Sequence, residues 1–198
     1  MRAQFVETVS DIVKKDNRAV LLLGDIGIFG FRDLLLSHSD RAYNIGILEQ
    51  STVSMSAGLA LSGLIPIVHT IAPFLVERSL EQIKVDLCYQ ELGANLVSIG
   101  GSYDYAALGC THHCPADVPT LNEIPNIEII IPGHPEEFDK LFRQCYDNNS
   151  PTYYKLGATT NAQDYNVEFG KNLIIQEKGD TVIIAIGEML GPVLEATN

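Results

Sequence analysis

Residues 41–71 read RAYNIGILEQSTVSMSAGLALSGLIPIVHTI, and this stretch shows the helix-and-strand pattern of the chain most clearly. A helix is predicted to begin near Glu49, and the short apolar run IPIVHTI follows it as a buried strand. Short apolar runs bounded by turn residues are typical of parallel strands that are covered on both faces. The stretch therefore predicts one helix and one strand in succession, with an acid at the point where the helix begins.

The same alternation of helix and strand continues in both directions along the chain. Upstream, Phe5, Val9, Ile12 and Val13 recur at helical spacing, and the run AVLLLG follows as a strand. Downstream, the predicted elements are a helix from about Phe74 to Tyr89, a strand NLVSIG, a helix near Val118 to Ile124, a strand IEIIIP, a helix PEEFDKLFRQCY and a strand PTYYKL. This alternation predicts a doubly wound α/β fold with a largely parallel sheet and right-handed crossovers.

The composition of the sequence changes after Leu156. The polar run GATTNAQDYNVEFGKN has no sustained period and predicts a linker. The remaining residues, LIIQEKGDTVIIAIGEMLGPVLEATN, predict a strand, a turn at Lys178 to Asp180, a second strand and the start of a helix. The predicted organisation is one domain over 1–157, a linker over 158–171, and the start of an incomplete second α/β domain over 172–198.

Charge and hydropathy exclude two classes of partner. The chain has 13 Lys and Arg against 25 Asp and Glu, a net charge of −12, so a phosphate backbone would be repelled over most of the surface. No apolar run is long enough to cross a bilayer. The first residues, MRAQFVETVSDIVKK, carry acids and an amphipathic period where a signal peptide has an apolar centre. We therefore expect a cytoplasmic protein that binds neither nucleic acid nor membrane.

The four cysteines do not form the dense pattern of a disulfide scaffold, so reduced thiols are expected. One cluster, CTHHC at 110–114, combines the two usual zinc ligands. Its spacing matches no known finger, and no second Cys or His pair lies nearby to complete a tetrahedral site. The sequence therefore favours the absence of a metal site in this chain.

Three loops are expected to carry the chemistry, because ligands of parallel α/β sheets bind at the carboxyl ends of the strands. The loops are GDIGIFGF after the first strand, the turn RAYNIGILEQ, and GGSYDYAALGCTHHCPAD after NLVSI. The chain has no GxGxxG, no GxxxxGK[ST] and no GxSxG motif. A phosphate cradle or a serine nucleophile on this chain is therefore not expected.

These residues carry a specific resemblance. The order RAYNIGILEQ, AGLALSGLIPIV, PFLVERSLEQI and GCTHHCPADVPTLNEIPNIEIIIPGHPEE resembles the pyrimidine-binding domain of transketolases, most closely the separate carboxy-terminal subunit of split transketolases. The similarity runs from about Ala19 to Leu156. The final segment resembles the opening of the transketolase carboxy-terminal domain.

The resemblance implies roles for five residues. The glutamate that matches Glu49 bonds the aminopyrimidine nitrogen N1′ of thiamine diphosphate and so promotes deprotonation of the thiazolium carbon. Phe74 matches the aromatic residue that stacks on the pyrimidine, and Asp25 falls where relatives place an acid beside the cofactor. Ile47 is expected to line the cofactor and, with its apolar neighbours, to keep water from the glutamate. His112 matches a histidine that faces substrate oxygens.

Three of these residues, and two further residues of the loop after NLVSI, also have a simpler interpretation. An acid in the first turn of a helix, such as Glu49, can serve the helix dipole alone. Phe74 can be a core aromatic, and Asp25 before glycine can be a turn residue. His113 stands where many relatives have Gln and could move protons, or it could be a loop residue without a role. Asp117 matches a family acid, but a helix N-cap explains it equally well.

The resemblance also implies a function and a partner. The expected activity is the transfer of a two-carbon ketol unit between sugar phosphates, with thiamine diphosphate as cofactor. The diphosphate and its Mg²⁺ or Ca²⁺ belong to a separate diphosphate-binding subunit, so an oligomer is expected, with the three loops at the subunit interface. Relatives with fused domains have further aromatic residues after the position of Phe74. This chain has Glu77 and Leu80 there, so a less aromatic pyrimidine pocket is expected. The alternatives are a 1-deoxyxylulose-phosphate synthase or 2-oxo acid dehydrogenase beta-type component, and a non-catalytic solitary domain.

Overall fold

The computed structural model describes residues 1–177 and 179–197. Within this part of the chain, six strands form one sheet in which every pairing is parallel. In chain order the strands are β1 Ala19–Leu23, β2 Ala42–Asn44, β3 Ile65–Ile71, β4 Ala94–Ile99, β5 Glu128–Ile130 and β6 Pro151–Leu156. Their spatial order is β2-β1-β3-β4-β6-β5, so the predicted doubly wound parallel sheet is confirmed.

Helices cover both faces of the sheet. They are α1 Arg2–Lys15, α2 Arg32–Ser37, α3 Glu49–Leu61, α4 Ala72–Val76, α5 Leu80–Gln82, α6 Asp117–Asn122, α7 Pro135–Cys145 and α8 Leu190–Ala196. A π-helical turn, Ile83–Cys88, continues α5, and short 3₁₀ turns lie at Ala106–Leu108, Cys110–His112 and Gly187–Met189. Among the described residues no helix is long and apolar enough to span a membrane.

The sheet separates two apolar cores. Leu21 and Leu23 of β1 face the first core with α1 and α7, whereas Val20 and Leu22 of the same strand face the second core with α3 and α4. Successive side chains of a strand point to opposite faces, so a strand covered on both sides needs apolar residues at every position. The five consecutive buried residues of β1 meet this requirement.

The structure departs from the sequence-based prediction in two places between β1 and β4. The single helix predicted from Phe74 to Tyr89 is wrong, because α4 ends at Val76 and α5 begins only at Leu80. The amides of Glu77 and Arg78 both donate to the carbonyl of Pro73, at 3.0 and 3.1 Å, and this shared acceptor ends the first helix. The short elements α2 and β2 were not predicted.

The segment predicted as a linker packs on the domain that precedes it. The Asn161 amide donates to the carbonyl of Gly133 at 2.8 Å. The buried Glu137 accepts from the backbone amides of Gly133, at 2.9 Å, and Tyr165, at 3.2 Å. These contacts tie residues 161–165 to the beginning of α7.

The strands predicted at 173–178 and 181–187 are not formed over 173–177 and 181–186. Lys178, in the predicted turn, lies outside the described residues. Several apolar side chains here are exposed, among them Ile174, Val182 and Ile184. A strand needs a neighbour to take its backbone hydrogen bonds, and none of the six described strands is paired with these residues. The division into domains stays a prediction.

Candidate functional site

Two of the three predicted loops meet at the carboxyl ends of the strands. The segment after β1 begins at Gly24, whose amide donates to the carbonyl of His69 at 2.9 Å. A Cβ on Gly24 would lie 2.9 Å from Thr70, so the segment passes directly over β3. Thr70 in turn contacts Glu49 at the start of α3. The ends of β1 and β3 and the start of α3 therefore meet at one point.

Glu49 is the first residue of α3 and is buried, with 2% of its surface exposed. Its Oε2 accepts a hydrogen bond from Nη1 of Arg78 at 2.6 Å. Its Oε1 lies 3.4 Å from Oγ1 of Thr70, at the long end of hydrogen bonding. The helix dipole favours an acid at this position, but a dipole role alone does not require burial. Burial with a single strong partner marks Glu49 as the centre of the candidate site.

Arg78 is the partner that the sequence prediction missed. It lies in the break between α4 and α5, and 36% of its side chain is exposed. Its Cζ lies 4.2 Å from the centroid of the Phe74 ring, within the range of a cation–π contact. The sequence predicted one continuous helix here, and nothing in such a helix distinguishes Arg78 from its charged neighbours. Only a prediction of the break between α4 and α5 could have identified Arg78 as a partner of Glu49. Arg78 therefore joins Glu49 to Phe74.

Phe74 and His112 extend the cluster toward the loop after β4. Their rings meet edge to face with centroids 5.2 Å apart, and both side chains are half-buried. Tyr105 also lies beside His112, at 6.2 Å between centroids. His113 instead contacts the ring of Tyr103, at 5.2 Å between centroids. The structure thus joins Glu49 to Phe74 through Arg78, and Phe74 in turn contacts His112.

Asp25 and Ile47 lie at the border of this cluster. Asp25 has a positive φ of 58° and exchanges two hydrogen bonds with the side chain of Asn44, at 3.0 and 3.1 Å. These two hydrogen bonds fit the interpretation of Asp25 as a turn residue. No described hydrogen bond joins Asp25 to Glu49. Ile47 is 65% exposed and its neighbour Leu48 is 54% exposed. Their roles at a cofactor stay predictions.

A second buried acid, Asp117, holds the loop after β4. It is the first residue of α6, and Ala116 occupies the N-cap position, so the N-cap interpretation is wrong. Its Oδ1 accepts from Lys155 Nζ at 2.9 Å, and its Oδ2 accepts from the Tyr153 hydroxyl at 3.1 Å. Lys155 also donates to Oγ of Ser102 at 2.9 Å. Burial, and to a smaller extent the negative charge of the nearby Asp117 carboxylate, raises the pKa of Tyr153 well above its usual range.

The cysteines of the CTHHC cluster at 110–114 differ in exposure, since Cys110 is exposed and Cys114 is buried. All four cysteines are free thiols, and Cys114 is buried with its Sγ 3.6 Å from Oε1 of Glu77. Burial, with the charge of Glu77 beside it, raises the pKa of the Cys114 thiol to about 12. Within residues 1–177 and 179–197 no group of three or more His, Cys, Asp or Glu side chains is placed to hold a metal ion.

Comparison with known proteins identifies similar chains. Residues 1–156 match the protein family described as "Transketolase, pyrimidine binding domain". The chain is 36% identical over 198 residues to a protein of Rhodococcoides fascians named "Uncharacterized 33.6 kDa protein in fasciation locus", covering 100% of this chain and 64% of that protein. It is 32% identical over 193 residues to an apulose-4-phosphate transketolase subunit of Phocaeicola vulgatus, covering 94% of this chain and 62% of that protein.

A solved structure shares the fold. The chain named "Split gene transketolase, inactive beta4 tetramer" superposes with a TM-score of 0.86 at 24% identity, covering 98% of this chain and 64% of that chain. At this identity the likeness establishes the fold alone. The present chain spans less than two thirds of the length of each of these three proteins.

Proposed function

Because this chain belongs to the family of transketolase pyrimidine-binding domains, we propose that it is the pyrimidine-binding component of a thiamine diphosphate-dependent transketolase. In this proposal it transfers a two-carbon ketol unit between sugar phosphates together with a separate diphosphate-binding subunit. The observation that carries the proposal is the buried carboxylate of Glu49 at the carboxyl ends of the strands. Arg78 contacts both this carboxylate and the ring of Phe74.

The residues present fit the aminopyrimidine end of the cofactor. A planar ring needs an aromatic face and a hydrogen-bond partner beyond its edge, and Phe74 and Glu49 offer these two groups. A carboxylate suits a ring nitrogen that gains positive character, because a charge-assisted hydrogen bond is about twice as strong as a neutral one. One cluster of side chains thus offers both parts that a pyrimidine site needs.

Each side chain of the candidate site has a separate role in the proposed reaction. When bound, thiamine diphosphate supplies the carbon centre that carries the two-carbon unit. Glu49 holds a proton at N1′ of the pyrimidine, and Phe74 orients the ring by stacking on it. His112, in edge contact with Phe74, donates hydrogen bonds to substrate oxygens. Ile47 and Leu48 exclude water once a partner covers them, and a dry surrounding strengthens the contact of Glu49.

The partner subunit holds the rest of the cofactor in this proposal. The described residues offer no metal-binding cluster, and the sequence has no phosphate-binding glycine loop, so the diphosphate and its Mg²⁺ or Ca²⁺ are assigned to the partner. The loops that carry the site have exposed apolar side chains: Phe29 in the loop after β1, and Ile47 and Leu48 just before α3, are 94%, 65% and 54% exposed. Exposed apolar side chains of this kind fit a surface that another subunit covers.

The test is hydrogen exchange at the thiazolium carbon of thiamine diphosphate in the assembled enzyme, followed by proton NMR. Glu49→Gln should slow this exchange by roughly 100- to 10,000-fold, the range typical of acid–base groups. Glu81→Gln is the matched control, since it removes the same charge from an exposed residue of α5 and should leave the exchange rate unchanged. An unchanged rate in Glu49→Gln contradicts the assignment. Consumption of pyruvate in place of a ketose would favour the deoxyxylulose-phosphate synthase alternative.

A further inference from the structure

The ion pair of Glu49 is built from one buried and one accessible side chain. Glu49 is 2% exposed, whereas its cation, Arg78, is 36% exposed and reaches the carboxylate from the surface. A buried charge is costly unless it is paired, so Arg78 compensates Glu49 as long as nothing else does. Among the described residues, the other carboxylate oxygen has only the 3.4 Å contact to Thr70. Replacement of this one arginine would therefore change the whole environment of the acid.

The guanidinium of Arg78 has the same two neighbours that the proposed function gives to the aminopyrimidine ring. It is planar, it lies with its Cζ 4.2 Å from the Phe74 centroid, and it donates an N–H to Oε2 of Glu49 at 2.6 Å. A planar cationic group that stacks on an aromatic face and donates to a carboxylate has the chemistry of a protonated aminopyrimidine. Arg78 and the ring would use the same acceptor and the same aromatic face.

We propose that Arg78 is a built-in stand-in for the aminopyrimidine ring, which pairs with Glu49 on the face of Phe74 in the free subunit and gives up both contacts when the ring binds. The proposal rests on the proposed function, and it makes Arg78 a positioning residue that acts through Glu49. Its consequence is competition: every cofactor that binds must first displace the guanidinium.

The local structure allows this displacement. Arg78 lies in the break between α4 and α5, where its backbone amide shares the Pro73 carbonyl with Glu77. Departures of this kind from the regular helical hydrogen-bond pattern are frequent at functional sites. The side chain has a flexible stem and an exposed face, so it can move to solvent without moving a strand or a core residue. Removal of its guanidinium should therefore favour ring binding.

The experiment titrates this chain with 4-amino-5-hydroxymethyl-2-methylpyrimidine and, separately, with thiamine diphosphate, and follows binding by NMR. Arg78→Met keeps most of the stem and removes the guanidinium, so it should lower the Kd of the pyrimidine by about tenfold, or about 1.4 kcal/mol. Arg32→Met is the matched control, because Arg32 is exposed and makes no ion pair among the described residues. Its Kd should equal that of the unchanged chain.

Thermal unfolding of the same variants supplies a second readout. Without ligand, Arg78→Met should melt at a lower temperature than the unchanged chain, since Glu49 loses its cation. Saturating pyrimidine should raise the melting temperature of Arg78→Met by more than that of the unchanged chain. A residue with a merely structural role would lower stability and weaken binding together. Stability and affinity that change in opposite directions are the signature of a stand-in.

The outcomes separate this proposal from the proposed function. In a Glu49→Gln background, Arg78→Met should give no tenfold gain, because there is no acid to release. Weaker or unchanged pyrimidine binding by Arg78→Met overturns the stand-in, while binding that still depends on Glu49 leaves the pyrimidine site intact. Pyrimidine binding that is absent, or that ignores Glu49→Gln, overturns both.

Discussion

Two buried acids lie at the same edge of the sheet, and each is paired with a cation in a different way. Asp117 is 1% exposed, its Lys155 partner is 14% exposed, and both of its oxygens accept short bonds, from Lys155, Tyr153 and the Val118 amide. Glu49 is equally buried, but its Arg78 partner is far more exposed and only one of its oxygens has a short bond.

The difference separates a fixed part from an exchangeable one. A buried carboxylate with both oxygens satisfied by buried partners holds its neighbours in place, and Asp117 in this way fixes the loop after β4 against β6. A buried carboxylate with one accessible partner can accept a different donor at little cost to the rest of the fold. Burial alone therefore does not identify a binding acid, whereas the accessibility of its partner does.

The largest expected effect is on the fixed pair. Lys155→Met should lower the free energy of unfolding by about 3–5 kcal/mol, because it leaves the Asp117 carboxylate buried without its cation. Urea unfolding measures this loss. Arg78→Met should cost less, about 1 kcal/mol, because Arg78 reaches the buried Glu49 from the surface and water can take its place beside the carboxylate.

A double variant tests the origin of the larger loss. The double variant Asp117→Asn, Lys155→Met should recover part of the lost stability, because the uncompensated charge is gone. Equal losses from Lys155→Met and Arg78→Met would remove the distinction between the two pairs.

A buried ionisable group without an ion partner extends the comparison. His69 of β3 is buried beside Thr70, and a ring N–H donates to the carbonyl of Val97 at 2.9 Å. Burial lowers the pKa of His69 from 6.5 to about 4, so the folded protein keeps the ring neutral at pH values where the unfolded chain binds a proton. Stability from this group is therefore complete above pH 6.5 and is lost as the pH falls toward 4.

The expected loss is about 3 kcal/mol over this range, at about 1.4 kcal/mol for each pH unit between the two pKa values. Urea unfolding at several pH values between 7 and 4 measures the slope. His69→Gln should flatten it, even though the variant is less stable at pH 7. The same slope in both proteins would assign the acid sensitivity to other groups.

A further expected effect concerns the second partner of Asp117. Tyr153→Phe removes the hydroxyl that donates to Asp117 and lies 2.7 Å from Oγ of Ser98, and should cost about 2 kcal/mol, as is usual for a hydrogen bond to a charged group. Tyr154→Phe is a matched control, because its buried hydroxyl donates to the neutral side chain of Asn95 at 3.2 Å. Its loss should be about 1 kcal/mol. A larger loss for Tyr154→Phe would show that the charge of Asp117 adds nothing to this bond.

Most of the fold could be predicted because local patterns determine it. The runs IPIVHTI and PTYYKL coincide with β3 Ile65–Ile71 and β6 Pro151–Leu156, since buried parallel strands are short apolar runs. The three-residue strand β2 was missed because two of its residues, Tyr43 and Asn44, are exposed, so it shows no apolar pattern. Its pairing with β1 is set by the sheet rather than by its own residues.

The partners in the candidate site were harder to predict than its acid. Glu49 stands at a helix start within a recognisable stretch, so the sequence singled it out. Arg78 lies 29 residues away, and Lys155 lies 38 residues from Asp117, so neither pair leaves a local trace. The helical pattern of residues 74–89 also concealed the break that turns Arg78 toward Glu49. Pairings of this kind depend on how the elements pack, which periodicity does not reveal.

The contacts of Glu137 determine where this protein can be shortened. The composition of the sequence changes after Leu156, and a truncation at that residue would follow the domain boundary that the composition suggests. Such a cut would remove the Tyr165 amide from Glu137 and the Asn161 amide from the Gly133 carbonyl, and would leave a buried carboxylate half-satisfied. A cut after Lys171 retains both contacts. An isolated domain made for expression and crystallisation should therefore end well beyond the boundary that the composition suggests.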